Sequence, residues 1–178
     1  MNLKPLTSMA VLASCFFVFI FGFFLSGARI NTTKSISIGL YWTKPIQIEK
    51  IEKGAYVIFC PPQSSVFEKA KERGYIGVGT CPGGHGLMMK RILAAQGDVV
   101  SISTKGVVVN NELLPHSAPL KADNRGRPLP CTPINRYSLG KTELLLMSDR
   151  SATSFDARYF GPINRSQIKT VIVPVITW

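Results

Sequence analysis

From Leu6 to Ala28 the chain carries no charge, and the centre of that run, Phe16-Phe17-Val18-Phe19-Ile20-Phe21-Gly22-Phe23-Phe24-Leu25, is strongly apolar. A helix of this length crosses a hydrocarbon core of about 30 Å. A cleaved signal peptide is the competing reading, with Ser26-Gly27-Ala28 as its small-residue site. The run is longer than the usual apolar core of a signal peptide, which favours an uncleaved transmembrane helix within residues 1–30. Lys4 on one side and Arg29 and Lys34 on the other leave the orientation open.

Residues 31–178 then form one domain of about 150 residues, enough to bury a core. The chain has a net charge of +11. Nucleic acid, an anionic lipid surface and plain solubility all compete for that charge. The cations are scattered and broken by acids, as in Glu68-Lys69-Ala70-Lys71-Glu72-Arg73. They do not alternate with aromatics as a nucleic-acid groove requires, so a partner nucleic acid is discounted and a nearby lipid bilayer is favoured.

Short β-rich runs dominate the rest. Ala55–Phe59, Leu87–Leu93, Val99–Ser103, Val107–Val109, Glu112–Leu114, Glu143–Met147 and Val171–Ile176 read as strands. One helix is expected, capped by Ser65, with Glu68 completing a capping box and Gly74 stopping it. Pro115 to Tyr137 reads as a long surface loop. The class is mostly β, folded back on itself rather than alternating βαβ.

Cys60, Cys81 and Cys131 lie outside the apolar segment. Cys60 and Cys81 sit in Pro/Gly-rich turns flanking one excursion, so a disulfide between them is a candidate, worth about 3 kcal/mol in the chain-entropy model. Zinc is the alternative, with no CxxC and no nearby histidine pair to support it. Two free thiols are the third reading. No cofactor is indicated: Gly77-Val78-Gly79 is half of a nucleotide loop, without its third glycine or following helix.

Chemistry has three candidate carriers. Ser35 and Ser37 lie a few residues past the apolar segment, and a serine hydroxyl needs a base to become a nucleophile. Alternation through Leu87–Leu93 puts Met88, Lys90 and Ile92 on one face and Met89, Arg91 and Leu93 on the other. A lysine held among apolar neighbours loses hydration, and a neutral amine can act as a base. The plainer reading has Lys90 laying its stem over the sheet with its charge in water. Ser148-Asp149-Arg150 and Ser154-Phe155-Asp156-Ala157-Arg158 suit a hydrogen-bonded support network, or else an ordinary surface ion-pair turn. His85 and His116 lie in loops, with nothing in their spacing to build a triad.

Taken together, these segments resemble the type I signal peptidase family, in particular its conjugative-transfer branch. The matching segments are Asn31-Thr32-Thr33-Lys34-Ser35 with Gly39-Leu40-Tyr41-Trp42, Met89-Lys90-Arg91 with Ala94-Ala95 and Gly97-Asp98, and Ser154 through Pro162. Cys60-Pro61-Pro62, Gly74-Tyr75 and Cys81-Pro82-Gly83 match as well. The resemblance implies a signal-peptidase-like β domain in which Ser35 is the nucleophile and Lys90 its general base. It also implies an oxyanion hole made by the Ser35 N–H and the Thr33 hydroxyl, with Ser154, Asp156 and Arg158 ordering the lysine and Asp149 a candidate to join them. The branch carries proline two positions after the nucleophile, where this chain has Ser37, a second hydroxyl near the site. The expected substrate is a pilin precursor presented at the membrane surface, with cyclisation through the acyl-enzyme as one outcome. The expected setting is a bacterial inner membrane, the catalytic domain in the periplasm, among other conjugation-apparatus proteins. The rival readings are a non-catalytic membrane-tethered component of a secretion apparatus and a self-cleaving repressor. The apolar segment and the lack of a helix-turn-helix pattern weigh against the repressor.

Overall fold

The computed structural model describes residues 4–45 and 51–178, so residues 1–3 of the expected anchor lie outside it. Helix α1 (Lys4–Leu25) leaves every side chain from Thr7 to Leu25 exposed, and that stretch is long and apolar enough to cross a membrane. Its C-terminal end is tied to the β domain. Arg29 Nη1 donates to the Phe24 carbonyl at 2.8 Å, and the guanidinium lies 4.1 Å from the Phe24 ring centre. Phe23 meets Trp42 edge-on at 5.7 Å.

Among the described residues, twelve strands and two short helices follow. They are β1 (Ala28–Asn31), β2 (Gly39–Lys44), β3 (Tyr56–Phe59), α2 (Ser65–Glu72), β4 (Val78–Cys81), β5 (Met88–Ala94), β6 (Val99–Ser103), β7 (Gly106–Val109), β8 (Glu112–Leu113), β9 (Ile134–Ser138), β10 (Glu143–Met147), α3 (Ala157–Phe160), β11 (Ile163–Asn164) and β12 (Ile168–Thr177). The larger sheet runs β1-β2-β12-β3-β5-β10-β11 and the smaller β8-β7-β6-β9. Neighbours within both sheets are antiparallel. The mostly β class is therefore observed.

Strand β10 explains how the two sheets share a centre. Leu144 and Leu146 face the larger core with Val57, Phe59, Phe67 and Ile92. Leu145 and Met147 face the smaller one with Val100, Ile102 and Val107. A strand covered on both sides reads as an unbroken apolar run, which is what Leu-Leu-Leu-Met is.

Several local expectations need correcting. The N-cap of α2 is Ser64, not Ser65, and no side-chain cap bond forms. Glu68 instead pairs with Lys71 at 3.0 Å and lies 3.3 Å from His85, so its carboxylate is drawn along and off the helix rather than back to the cap. The stretch from Pro115 is not loop throughout: β9 begins at Ile134, Ala122 bridges Pro128, and Leu129 packs on the larger core. A second helix, α3, occupies one turn of the Ser154–Pro162 segment. Cys60 and Cys81 are joined in a disulfide, while Cys15 and Cys131 are free. The bridge ties the end of β3 to β4 across the excursion that contains α2.

Candidate active site

Strands β1 and β2 form a hairpin whose loop, residues 32–38, carries Ser35. The hairpin is held by what lies beneath it. Gly39 has φ +146, and a Cβ there would stand 2.1 Å from the Ile176 carbonyl oxygen, so only glycine lets β12 pass this close. The loop is shaped by Asn31, a residue that carries no assigned role in the sequence motifs. Asn31 is 3% exposed. Its Nδ2 donates to the carbonyls of Thr33, Ile36 and Ser37 at 2.7, 3.1 and 2.9 Å. Its Oδ1 accepts from the Thr33 N–H at 3.2 Å and the Thr33 hydroxyl at 2.9 Å. One buried amide thus holds both ends of the loop. Asparagine at a strand end before Thr-Thr-Lys-Ser is the signal that could have revealed it, since asparagine side chains bond nearby backbone in this way.

Lys90 comes from β5, whose burial alternates strictly. The face holding Met88, Lys90 and Ile92 is the buried one, and Lys90 is 2% exposed. Its Nζ donates to Ser35 Oγ at 2.7 Å, across 55 residues of sequence. Burial pushes the amine down to about 8 against the ordinary 10.5. The Asp156 carboxylate pulls back the other way, and the Arg158 guanidinium adds to the depression. Snorkelling, the plainer alternative, is not what Lys90 does.

The third segment folds beneath this pair. Asp156 and Arg158 are fully buried and joined by two ion-paired contacts of 2.7 Å. Asp156 also accepts from the backbone N–H groups of Ser148 and Arg158. Arg158 donates to the carbonyls of His116, Ala152, Ser151 and Ser154 at 2.8–3.0 Å. This sets the backbone of residues 148–154 and places Ser154 Oγ 3.5 Å from Ser35 Oγ. A surface ion-pair turn is excluded.

Two candidates fall elsewhere. Asp149 does not join Asp156 and Arg158; it pairs with Arg91 at 2.7 Å. Arg91 lies on the face of β5 opposite Lys90, and Asp149, one residue beyond the buried Ser148, turns towards that side. Ser37 contributes its carbonyl, which accepts from Tyr41 Oη at 2.7 Å and from Asn31. The hydroxyl within reach of Lys90 is that of Ser35. The Thr33 hydroxyl donates to Asn31 in this geometry, so it would have to swing away to donate elsewhere. The Ser35 N–H has no partner among the described residues.

Ser35 opens onto two depressions. One, of about 230 Å³, is lined by Ile30, Ile76, Met88 and Met89 among others. The second, of about 370 Å³, mixes Lys34, Ser151, Thr153 and Ser154 with Leu120, Leu129 and Phe155. A hydroxyl between two such hollows can meet an extended chain laid across it. A buried amine touching a half-exposed hydroxyl at the end of an apolar helix defines a serine hydrolase of the lysine-assisted kind as the chemistry this site can support.

Comparison with known proteins gives the lineage. Residues 3–178 match the family described as signal peptidase, peptidase S26, and the chain belongs to that family. It is 67% identical over 157 residues to "Plasmid transfer protein TraF" of Escherichia coli, covering 88% of this chain and 86% of that one. It is 34% identical to "Probable conjugal transfer protein TraF" of Sinorhizobium fredii, over 85% of this chain and 78% of the other. Within the family it stands with the TraF-type members. A solved signal peptidase I from Enterococcus faecalis is 13% identical, with a TM-score of 0.39 over 70% of this chain and 97% of its own, a likeness too loose to build on.

Proposed function

We propose that this chain is a membrane-anchored serine endopeptidase in which residues 1–30 hold a peptidase domain of residues 31–178 against the bilayer. Its substrate is a pilin precursor of a conjugation apparatus. The observation that carries the reading is the buried Lys90 amine 2.7 Å from the Ser35 hydroxyl.

Neutral Lys90 accepts the proton of Ser35 as Ser35 Oγ bonds to the scissile carbonyl carbon. The carbonyl π electrons move to its oxygen, and the Ser35 N–H, without a partner among the described residues, is the donor that would meet the developing charge. The C–N bond then breaks, Lys90 returns the proton to the leaving amine, and an ester to Ser35 remains. Water or a second amine resolves that ester. When the acceptor is the substrate's own N-terminus, the product is cyclic and the energy of the peptide bond is kept throughout. Ser154 holds its hydroxyl against the pair, and Asp156 and Arg158 hold Ser154. The helix α1 ends at Leu25, so the site reaches bonds presented close to the membrane surface. The TraF-type lineage supports conjugation as the setting, with the domain on the periplasmic side of the inner membrane.

The test is processing of a membrane-bound pilin precursor by Ser35→Ala, Lys90→Ala and Ser37→Ala proteins. The first two are expected to leave the precursor uncut and the third to process it. Normal processing by Ser35→Ala or Lys90→Ala sinks the enzyme reading, and failure of Ser37→Ala alone moves the nucleophile.

Asn31 supplies a second measurement. Asn31→Ala removes the donors that shape the loop, and misplacing a reacting atom by about 1 Å costs on the order of 100-fold. The expected loss is in kcat, with KM little changed. Asn31→Asp keeps the acceptor for Thr33 but loses the three donor contacts, so it should not restore turnover. Wild-type kcat in both variants would remove Asn31 from the positioning machinery.

A further inference from the structure

Ser35 and Lys90 meet at 2.7 Å although one comes from a hairpin loop and the other from a strand 55 residues further on. A contact that short needs the loop fixed against β5 as well as folded in itself. The Asn31 side chain donates to residues 33, 36 and 37, all within its own hairpin. It shapes the loop without tying it to β5.

Tyr41 supplies the tie. It sits in β2 and is fully buried. Its ring belongs to an apolar cluster with Ile36, Ile58 and Ile172, and Met89 packs against the same cluster. Ile36 follows Ser35 in the chain, and Met89 precedes Lys90. Met89 stands beside Ile58 in the β3–β5 pairing, one residue along from Lys90 beside Val57. One cluster behind the sheet therefore holds the chain neighbours of both reacting groups. The tyrosine hydroxyl gives that packing a direction. Tyr41 Oη donates to the Ser37 carbonyl at 2.7 Å, and Asn31 Nδ2 donates to the same oxygen at 2.9 Å. Both lone pairs of one carbonyl are taken, one by a donor from each strand of the hairpin. Burial pushes the Tyr41 hydroxyl above its ordinary 10.0, so it stays a donor while Lys90 loses its charge at about 8.

Any buried tyrosine hydroxyl tends to find a partner. What singles out Tyr41 is where the partner lies, two residues past Ser35, and what its ring shares with β5. We propose that Tyr41 is a positioning residue that holds the loop in register with β5, so that Ser35 Oγ arrives at Lys90 Nζ. The role rests on the peptidase reading of that pair. Tyr41→Phe removes only the oxygen. The ring keeps its place in the cluster, and the Ser37 carbonyl keeps the Asn31 donor, so no buried acceptor is orphaned.

The experiment uses full-length unaltered, Tyr41→Phe and Tyr56→Phe proteins in detergent. Tyr56 meets Tyr41 edge-on at 6.1 Å, and its hydroxyl makes no bond to the loop among the described residues. Each protein is read by melting midpoint, by amide hydrogen exchange over residues 32–38, and by kcat and KM on a membrane-bound pilin precursor. Tyr41→Phe should melt within about 4 °C of the unaltered protein and exchange faster over residues 32–38 than elsewhere. Its kcat should fall roughly tenfold with KM unchanged, as a displacement smaller than about 1 Å would cause. Tyr56→Phe should match the unaltered protein in exchange and kcat. Unchanged exchange over residues 32–38, an unchanged kcat, a rise in KM alone, or an equal loss in Tyr56→Phe overturns the proposal. Faster exchange in Tyr41→Phe with no cleavage by the unaltered protein leaves Tyr41 as the holder of the loop and counts against the peptidase reading instead.

Discussion

Replacing Lys90 by methionine is expected to abolish peptide-bond cleavage and at the same time make the folded protein more stable near neutral pH. The two effects share one cause. Lys90 is buried, and the wall around it holds its amine at about 8 rather than 10.5. Losing a positioned general base lowers turnover by roughly 10²–10⁴-fold, and no other amine among the described residues bonds Ser35. The stability effect follows from proton linkage. Between about pH 8 and 10.5 the unfolded chain holds a proton on this lysine and the folded chain does not, so stability rises with pH through that window. Below about pH 8 both states are protonated and the folded state carries a buried cation. That penalty corresponds to about 3 kcal/mol, which Lys90→Met removes because its thioether stem fills similar space. Denaturation midpoints of the two proteins should therefore differ most below about pH 8 and converge above about pH 10.5. Cleavage by the unaltered protein should climb as pH passes about 8, when the amine sheds its charge. A stability gap that does not narrow with rising pH, or a cleavage rate flat from about pH 6 to 9, contradicts the assigned protonation state.

How much of the molecule is legible in its sequence varies with the range of the interaction that decides each feature. The face of Lys90 is legible because strand alternation is local, and β5 alternates as written. The Leu-rich β10 is legible for the same reason. Whether Lys90 keeps its charge in water is not, since that depends on Ser35 arriving from a hairpin 55 residues away. Only the order of several motifs, not any spacing, points to that meeting. Strands β1 and β2 carry little signal because they are short and mix polar with apolar residues; pairing with β12 stabilises β2. Cys60 and Cys81 are plausible partners from their flanking turns, yet only the fold of α2 between them brings their Cα atoms to 5.5 Å. Asp149 falls outside the expected network because its neighbours in sequence are not its neighbours in space. Glu68 departs from its expected cap for a similar reason: Lys71 and His85 compete for it, and His85 is distant in sequence.

Arg158→Met is expected to destabilise the domain by about 3–5 kcal/mol, the largest loss of stability that any one substitution in this site should produce. The guanidinium and the Asp156 carboxylate are both fully buried, and removing one leaves the other charged and unpaired. The loss extends beyond the pair. Arg158 also satisfies the carbonyls of Ser151, Ala152, Ser154 and His116, and all four lose their donor at once. Lysine cannot substitute, because one ammonium has three donors on a point and the site needs a planar fork reaching in several directions. Arg158→Lys should therefore recover little. Removing both charges is a different case. Arg158→Met/Asp156→Leu deletes the unpaired carboxylate, so it should be less destabilised in urea than Arg158→Met alone, even though two native side chains are gone. Cleavage should not return with stability in the double variant. Ser154 loses the bond that sets its backbone, and Lys90 loses both the carboxylate that draws its amine upward and the guanidinium that opposes it more weakly. The rise of activity with pH in whatever turnover survives should then begin below about pH 8. A double variant no more stable than Arg158→Met would mean that the carbonyl contacts, not the buried ion pair, hold this corner of the fold.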